Sequence, residues 1–360
     1  MQNEIAYSRP VTLTNILKFA VPTIAMSVFM SFYTMVDGLF VSNLIGTSAL
    51  SALNLVYPVI ALVTAISTML ATGGSAAIMR KMGEGKPDEA KQDFTFLILV
   101  NVLTGLVMCG LGYLFMGKIF GSMSLSPEVS AYCWEYLSRY LLFTVPILLM
   151  NNFTLYMIAA GKASLSLLCS VAGGVTNIVL DYLFIAVFGM GLVGAAIATV
   201  CGECIGGFVP LIYFAAKNSS PFCLGKTKWY PFILKKTCAN GSSELMTNLS
   251  SSIVNTLFNF QLMRFVGENG VAAYGTIMYV NFIFVAIYFG YSIGSAPIVS
   301  YHYGAQNHKE LKNLLNKSLR FTGICGIFMF ILAQLIATPL ARIFVGYDVD
   351  LFELTRHGFR

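Results

Sequence analysis

Asp37, Asn177, Asp181 and Thr199 each fall inside a long apolar run, and together they offer two carboxylates, an amide and a hydroxyl. Hard oxygen donors of this kind suit a small cation, or a proton held between carboxylates. Their spacing puts them at one depth. At 1.5 Å per residue, Asp37 and Asp181 each lie about seven residues, roughly 10 Å, below the same end of their helices, and Thr199 lies a similar distance from the start of its own. Asn177 precedes Asp181 by one helical turn and shares its face. Polar groups in bundles also serve simply to hydrogen-bond neighbouring helices, and Thr199 alone would be read that way. A charge inside a membrane span costs about 2.5–3.5 kcal/mol on insertion scales, so two aspartates at one depth are read as functional.

Two further acids fall within apolar runs. Glu244 follows the polar run Asn240-Gly-Ser-Ser, which either lines a cavity or is the inner end of a helix. Glu203 stands among Gly202, Gly206 and Gly207, where a close helix contact with a locally satisfied carboxylate is expected. Glu135 and Arg139, four residues apart, are read as an ion pair. Cys201 and Cys204 have the spacing of a redox pair but lack the soluble βαβ context such pairs need. His302, His308 and His357 are placed outside the spans, and neither His-Glu-x-x-His nor Gly-x-Ser-x-Gly occurs, so no enzyme is expected. No catalytic residue and no cofactor is assigned beyond Na⁺ or H⁺ as a coupling ion.

The elements that must hold these groups are membrane helices. The chain of 360 residues is 57% hydrophobic and 11% charged, against roughly a quarter charged in soluble domains. Stretches of about 20 apolar residues or more run over 16–44, 53–79, 94–116, 140–160, 163–188, 192–216, 245–263, 271–301 and 321–341, about nine spans. Pro22 and Pro58 interrupt the first two, and proline can kink such a helix. The net charge of +6 does not point to nucleic acid. Arg80, Lys81, Lys86, Lys91, Lys162, Lys217, Lys226, Lys228, Lys235, Lys236, Lys309, Lys312, Lys317 and Arg320 fall on one side, with Lys118, Arg264 and Arg342 opposite. This is the positive-inside pattern, which places the N-terminus in the cytoplasm.

The second half restarts the pattern of the first. A shift of 221 positions aligns Gly46 with Gly267, Ala52 with Ala273, Gly73 with Gly294, Gly83 with Gly304, Glu89 with Glu310 and Lys91 with Lys312. Gly83 and Gly304 are expected to end helices in the left-handed conformation. Six spans precede the restart, so both copies enter the membrane in one direction, the parallel type of repeat. The fold expected is an all-α polytopic membrane protein of two parallel six-helix repeats. Residues 1–217 form the first lobe, 218–236 a cytoplasmic linker, and 237–360 an incomplete second lobe. The register carries Glu128 onto Val349 and Arg139 onto Arg360, so a truncated carrier is expected.

Pro22 and Asp37-Gly-Leu-Phe-Val on the first helix, Asn177-x-x-x-Asp181 on the fifth, Thr199 on the sixth and a glutamate on the seventh resemble the multidrug and toxic compound extrusion (MATE) transporters, in their bacterial DinF-like branch. The resemblance runs over essentially the whole chain. It implies a V-shaped, monomeric carrier in the bacterial plasma membrane that exports small organic cations in exchange for Na⁺ or H⁺. It implies the coupling ion at Asp37, Asn177, Asp181 and Thr199, with Glu244 as the second-lobe acid of some branches. Many relatives carry a proline at the start of the seventh span, where this chain reads Cys238-Ala-Asn-Gly241. The lobes are expected to rock around a midplane site, with Pro22 as the hinge. A lipid-linked sugar flippase of related architecture is the competing transport reading. An intramembrane aspartyl-type enzyme is the competing class, and the repeat counts against it.

Overall fold

The computed structural model describes residues 6–8, 10–45, 47–121, 126–216, 218, 220–345 and 349–359. The repeat match at Gly46, the lobe boundary at Lys217 and the endpoint Arg360 lie outside those residues. The helices are α1 (Leu13–Leu44), α2 (Thr47–Gly83), α3 (Pro87–Gly121), α4 (Pro127–Leu142), α5 (Thr144–Ala159), α6 (Ala163–Asp181), α7 (Gly191–Ala215), α8 (Pro231–Phe265), α9 (Glu268–Gly304), α10 (His308–Val345) and α11 (Val349–Phe359). Their starts follow local chemistry. The Thr12 side chain accepts from the Asn15 amide ahead of α1, and Ser126 accepts from Val129 ahead of α4, where Pro127 opens the helix.

Among the described residues seven helices are long and apolar enough to cross a membrane, or up to eight if α4 and α5 count as one bent span. The sequence expectation of about nine included 245–263. That stretch is helical within α8, but Glu244, Thr247, Asn248, Ser250, Ser251, Ser252 and Asn255 make α8 too polar to qualify. Leu99, Leu106 and Leu114 on α3 and Ile327, Phe330 and Leu335 on α10 are more than half exposed, a surface suited to lipid rather than water.

The expected continuous span 140–160 is broken. α4 and α5 meet at 58°, because Pro146 has no N–H for the Leu142 carbonyl four residues earlier. The Thr144 hydroxyl bonds the Leu141 carbonyl at 2.5 Å there. By contrast α1 runs unbroken through Pro22, α2 through Pro58, and α8 unbroken from Pro231. α8 begins inside the stretch read as linker. The irregular segment before it is pinned to α3, with Phe222 stacked 5.6 Å from Phe94 and the Thr227 hydroxyl donating to the Gln92 carbonyl at 2.9 Å.

The repeat governs the helix boundaries. α2 and α9 start and stop 221 positions apart, and α3 and α10 start 221 apart. The positive-φ residues that follow α2 and α9 are Gly85 at φ 75° and Gln306 at φ 52°, again 221 apart and two positions beyond the glycines expected to hold that conformation. Gly83 and Gly304 have another task. A Cβ on Gly83 would overlap the Tyr301 carbonyl oxygen, and one on Gly304 would overlap that of Arg80. The ends of α2 and α9 thus touch backbone to backbone. Gly73 and Gly241 join α2 to α8 in the same way, and Gly290 and Gly294 let α9 press on Thr23 and Ala20 of α1.

These contacts between lobes gather at the basic end. The segment before α1 adds to them. The Val11 amide donates to Glu310 at 3.1 Å and its carbonyl accepts from Asn313 at 3.0 Å and from Lys317, while within the first lobe the Tyr7 hydroxyl donates to the Ile158 carbonyl. Burial pushes the Tyr7 phenol up, which keeps it a donor. Beyond Asn248, α8 is largely exposed as far as Phe265. Overpacking costs about 1–3 kcal/mol. Gly83→Val is therefore expected to lower the population closed at the basic end about tenfold or more, read as a longer distance between spin labels at Asp88 and His308.

Candidate functional site

Three glycine contacts set the interior of the first lobe. Gly173 of α6 and Gly202 of α7 meet so closely that a Cβ on either would stand 2.7 Å from the other's carbonyl oxygen. Gly174, on the next face of α6, leaves room for Phe29 and Tyr33 of α1, with a Cβ there 2.6 Å from the Phe29 ring. α1, α6 and α7 thereby converge, and each contributes polar side chains to the space between them.

Asp37 of α1 and Asp181 of α6 face one another within hydrogen-bonding reach. Asp181 is 0% exposed and Asn177 1%. The Asn177 amide donates to the Thr199 hydroxyl at 3.4 Å, and that hydroxyl donates to the Ala195 carbonyl at 3.0 Å. The structure therefore brings all four residues into one cluster. One Asp37 oxygen, both Asp181 oxygens and the Asn177 carbonyl oxygen are buried without a hydrogen-bond partner. Every one is an acceptor, so the cluster is suited to take up a cation or a proton rather than another oxygen. Among the described residues no three His, Cys, Asp or Glu side chains gather as a metal site. The donor set is two carboxylates, an amide and a hydroxyl, which fits a hard monovalent ion better than a transition metal.

Backbone geometry adapts around Asp181. α6 ends there and continues as a π-helical turn, Tyr182–Val187, with the Phe188 amide bonded to the Leu183 carbonyl at 2.9 Å. Such turns recur at functional sites.

Tyrosines complete the enclosure, and sequence reasoning passed over them. Tyr136 of α4 lies against Thr199 and near both aspartates. Tyr140, one turn on, lies against Thr64 and near Glu203, and Tyr33 stands among Glu203, Asp37 and Asp181. The spacings of four, Tyr33 to Asp37 and Tyr136 to Tyr140, were the available signal.

Other expectations fare differently. Arg139 donates to the Glu135 carbonyl at 2.9 Å and to Ser138. Among the described residues its guanidinium pairs with no carboxylate, so the expected ion pair is absent. Glu203 is not locally satisfied either, for its Oε2 is buried without a partner. His302 lies inside α9 and is 3% exposed, not outside the spans as expected. Glu244 sits half-buried on α8, away from the cluster. Cys201 and Cys204 are both free thiols.

The MatE family matches residues 22–183 and 245–357. The chain belongs to this family. Its members are transporters, not enzymes. Among curated proteins, it is 23% identical over 300 residues to the multidrug export protein MepA of Staphylococcus haemolyticus, covering 83% of this chain and 66% of that one. It is 21% identical over 324 residues to an FAD transporter of Shewanella oneidensis, covering 87% and 70%. The chain thus spans about two thirds of these relatives' length. A solved structure described as the outward-facing conformation of a multidrug resistance MATE transporter superposes with TM-score 0.91 at 23% identity, covering 100% of this chain and 80% of that one. The fold is that of the MATE transporters, a multi-pass helical membrane protein with relatives in bacteria.

An ion filling the cluster stabilises the fold by RT ln(1 + [L]/Kd), about 2.7 kcal/mol at a hundredfold excess over Kd. Raising Na⁺, or lowering pH in its absence, is expected to raise the melting temperature of the wild type. Asp181→Asn is expected to lose most of that shift, because its amide supplies the missing donor itself.

Proposed function

We propose that this chain is the ion-coupled part of an antiporter that exports small organic cations in exchange for Na⁺ or H⁺. The observation that supports it is the Asp37–Asp181 pair, whose buried oxygens have no donor. Two like charges so placed are held together only when a proton or cation lies between them. Asn177 and Thr199 supply further oxygens to the same ion. The acidic character of the intramembrane charges favours cationic cargo. The basic cavity expected of a lipid-linked sugar flippase has no counterpart among the residues that surround the site.

In this reading the basic end faces the cytoplasm of a bacterial cell, as the positive-inside pattern suggests, and the plasma membrane is the site of action. The lobes touch at that end, so the conformation opens outward. Binding of the ion at Asp37 and Asp181 draws α1 toward α6. Pro22 shares α1 with Asp37 and lies beside Thr23, whose hydroxyl donates to the Gly290 carbonyl at 2.7 Å. Movement of α1 at Pro22 therefore loads the seam with the second lobe, and alternating access follows from rocking about it. Glu244, on α8 of the second lobe, would receive the cargo. The carrier works as a monomer, since both walls of the cleft belong to one chain.

The test is transport in proteoliposomes, with a Na⁺ gradient and a pH gradient imposed separately and ethidium as cargo. One gradient is expected to drive ethidium movement, and Asp37→Asn to reduce the driven component at least tenfold. Full coupled transport in Asp37→Asn would remove the pair from the mechanism.

A further inference from the structure

Glu203 is an acid of the first lobe, with its Oε2 buried, that the ion cluster does not use; Asp93, also buried, is paired with Lys81. It sits one helical turn past Thr199 on α7, on the same face, and so one layer nearer the basic end. Its surroundings form a second layer beneath the first. Tyr33 stands one turn below Asp37 on α1 and Tyr140 one turn below Tyr136 on α4, with the two tyrosine rings of α4 stacked at 6.4 Å. Independent packing contacts fix the placement. Gly202, adjacent to Glu203, touches Gly173, and Gly174 touches Tyr33.

The glycine faces of α7 account for its packing without Glu203. Gly202 meets α6, while Gly206 meets Met150 and Gly207 the Pro146 carbonyl of α5. Gly206 and Gly207, three and four residues past Glu203, share its face of α7, and the phenols of Tyr33 on α1 and Tyr140 on α4 stand near its carboxylate. Its Oε2 is buried and accepts no hydrogen bond, and among the described residues no lysine or arginine pairs with it. The groups facing it are the phenols of Tyr33 and Tyr140 and the thiol of Cys204 on its own helix. Asp37 and Asp181 lie beyond Tyr33. A metal ion needs several oxygen ligands, and this layer offers one carboxylate and neutral hydroxyls. A proton needs only the carboxylate.

We propose that Glu203 is a second proton-carrying carboxylate of the coupling machinery, one turn nearer the basic end than the Asp37–Asp181 pair and linked to it through Tyr33. The assignment rests on the antiport reading and extends the ion's route toward the side where the lobes are closed. Protonation neutralises an otherwise unpartnered buried charge. Loss of that proton toward the basic end then leaves the site ready to take another from the upper pair.

The test counts protons taken up by the purified full chain on acidification in weakly buffered detergent solution, with a pH-indicator dye. Glu203→Gln is expected to take up one proton fewer per chain, and Glu203→Asp to restore the wild-type count. An unchanged count in Glu203→Gln, with melting and ethidium transport like those of the wild type, overturns the proposal. That result leaves the antiport reading standing, because the latter fails on Asp37→Asn. Tyr140→Phe offers a second measurement if Glu203→Gln does not fold. It removes a hydroxyl beside Glu203 and is expected to shift the midpoint of that one-proton step, and an unchanged curve overturns the proposal equally.

Discussion

Two carboxylates that face each other inside a lipid-embedded lobe define what the rest of the structure must accommodate. Like charges about 4 Å apart repel by about 4 kcal/mol even at an effective dielectric near 20, and neither aspartate can donate to the other when both are ionised. The pair is compatible with a packed lobe only when a third party, proton or cation, neutralises it. The helices are arranged so that the pair is nonetheless forced together. Gly174 removes the side chain that would hold α1 away from α6, and the Gly173–Gly202 contact brings α7 and Thr199 to the same point. The π-helical turn after Asp181 lets α6 end its regular hydrogen bonding at the aspartate itself. On the antiport reading, the occupancy of one small site would set the distance between α1 and α6.

α1 carries that distance to the other lobe. Its inner half is held by Thr23 to the Gly290 carbonyl, and α9 presses on it through Gly290 and Gly294. The opposite side of the seam repeats the device with Gly73 and Gly241, and the basic end repeats it again with Gly83 and Gly304. Backbone-to-backbone contacts of this kind have little side-chain slack, so the seam has closed and open arrangements rather than a continuum. Such a boundary suits lobes that move as bodies.

Much of this was legible in the sequence. Hydropathy located the helices, and the 221-residue register that aligns Gly73 with Gly294 and Gly83 with Gly304 also sets the limits of α2 and α9. The depth estimate placed Asp37, Asp181 and Thr199 together because helical rise is fixed by backbone geometry. What escaped is tertiary. Pro146 marked the α4–α5 break, but a single proline in a membrane helix does not say whether the helix bends or merely curves, and Pro22 and Pro58 leave α1 and α2 unbroken. Periodicity shows that Tyr33 shares a face with Asp37, not which neighbour that face meets. The glycines beside Glu203 signalled a close contact correctly, yet not that the carboxylate's Oε2 would be left without a partner. Gly83 and Gly304 suggested helix caps, since a sequence does not distinguish a glycine needed for its φ from one needed for its missing Cβ.

On the antiport reading, the charge state of the Asp37–Asp181 pair governs how the lobes meet. The most direct measurement is the distance distribution between spin labels on the two lobes at the basic end, recorded across Na⁺ concentration and pH. The wild type is predicted to shift between short and long populations as the cation or proton is supplied, and a variant with Asp37→Asn and Asp181→Asn to stay fixed under all conditions. A doubly neutralised variant that responds to the ion as the wild type does would contradict the account.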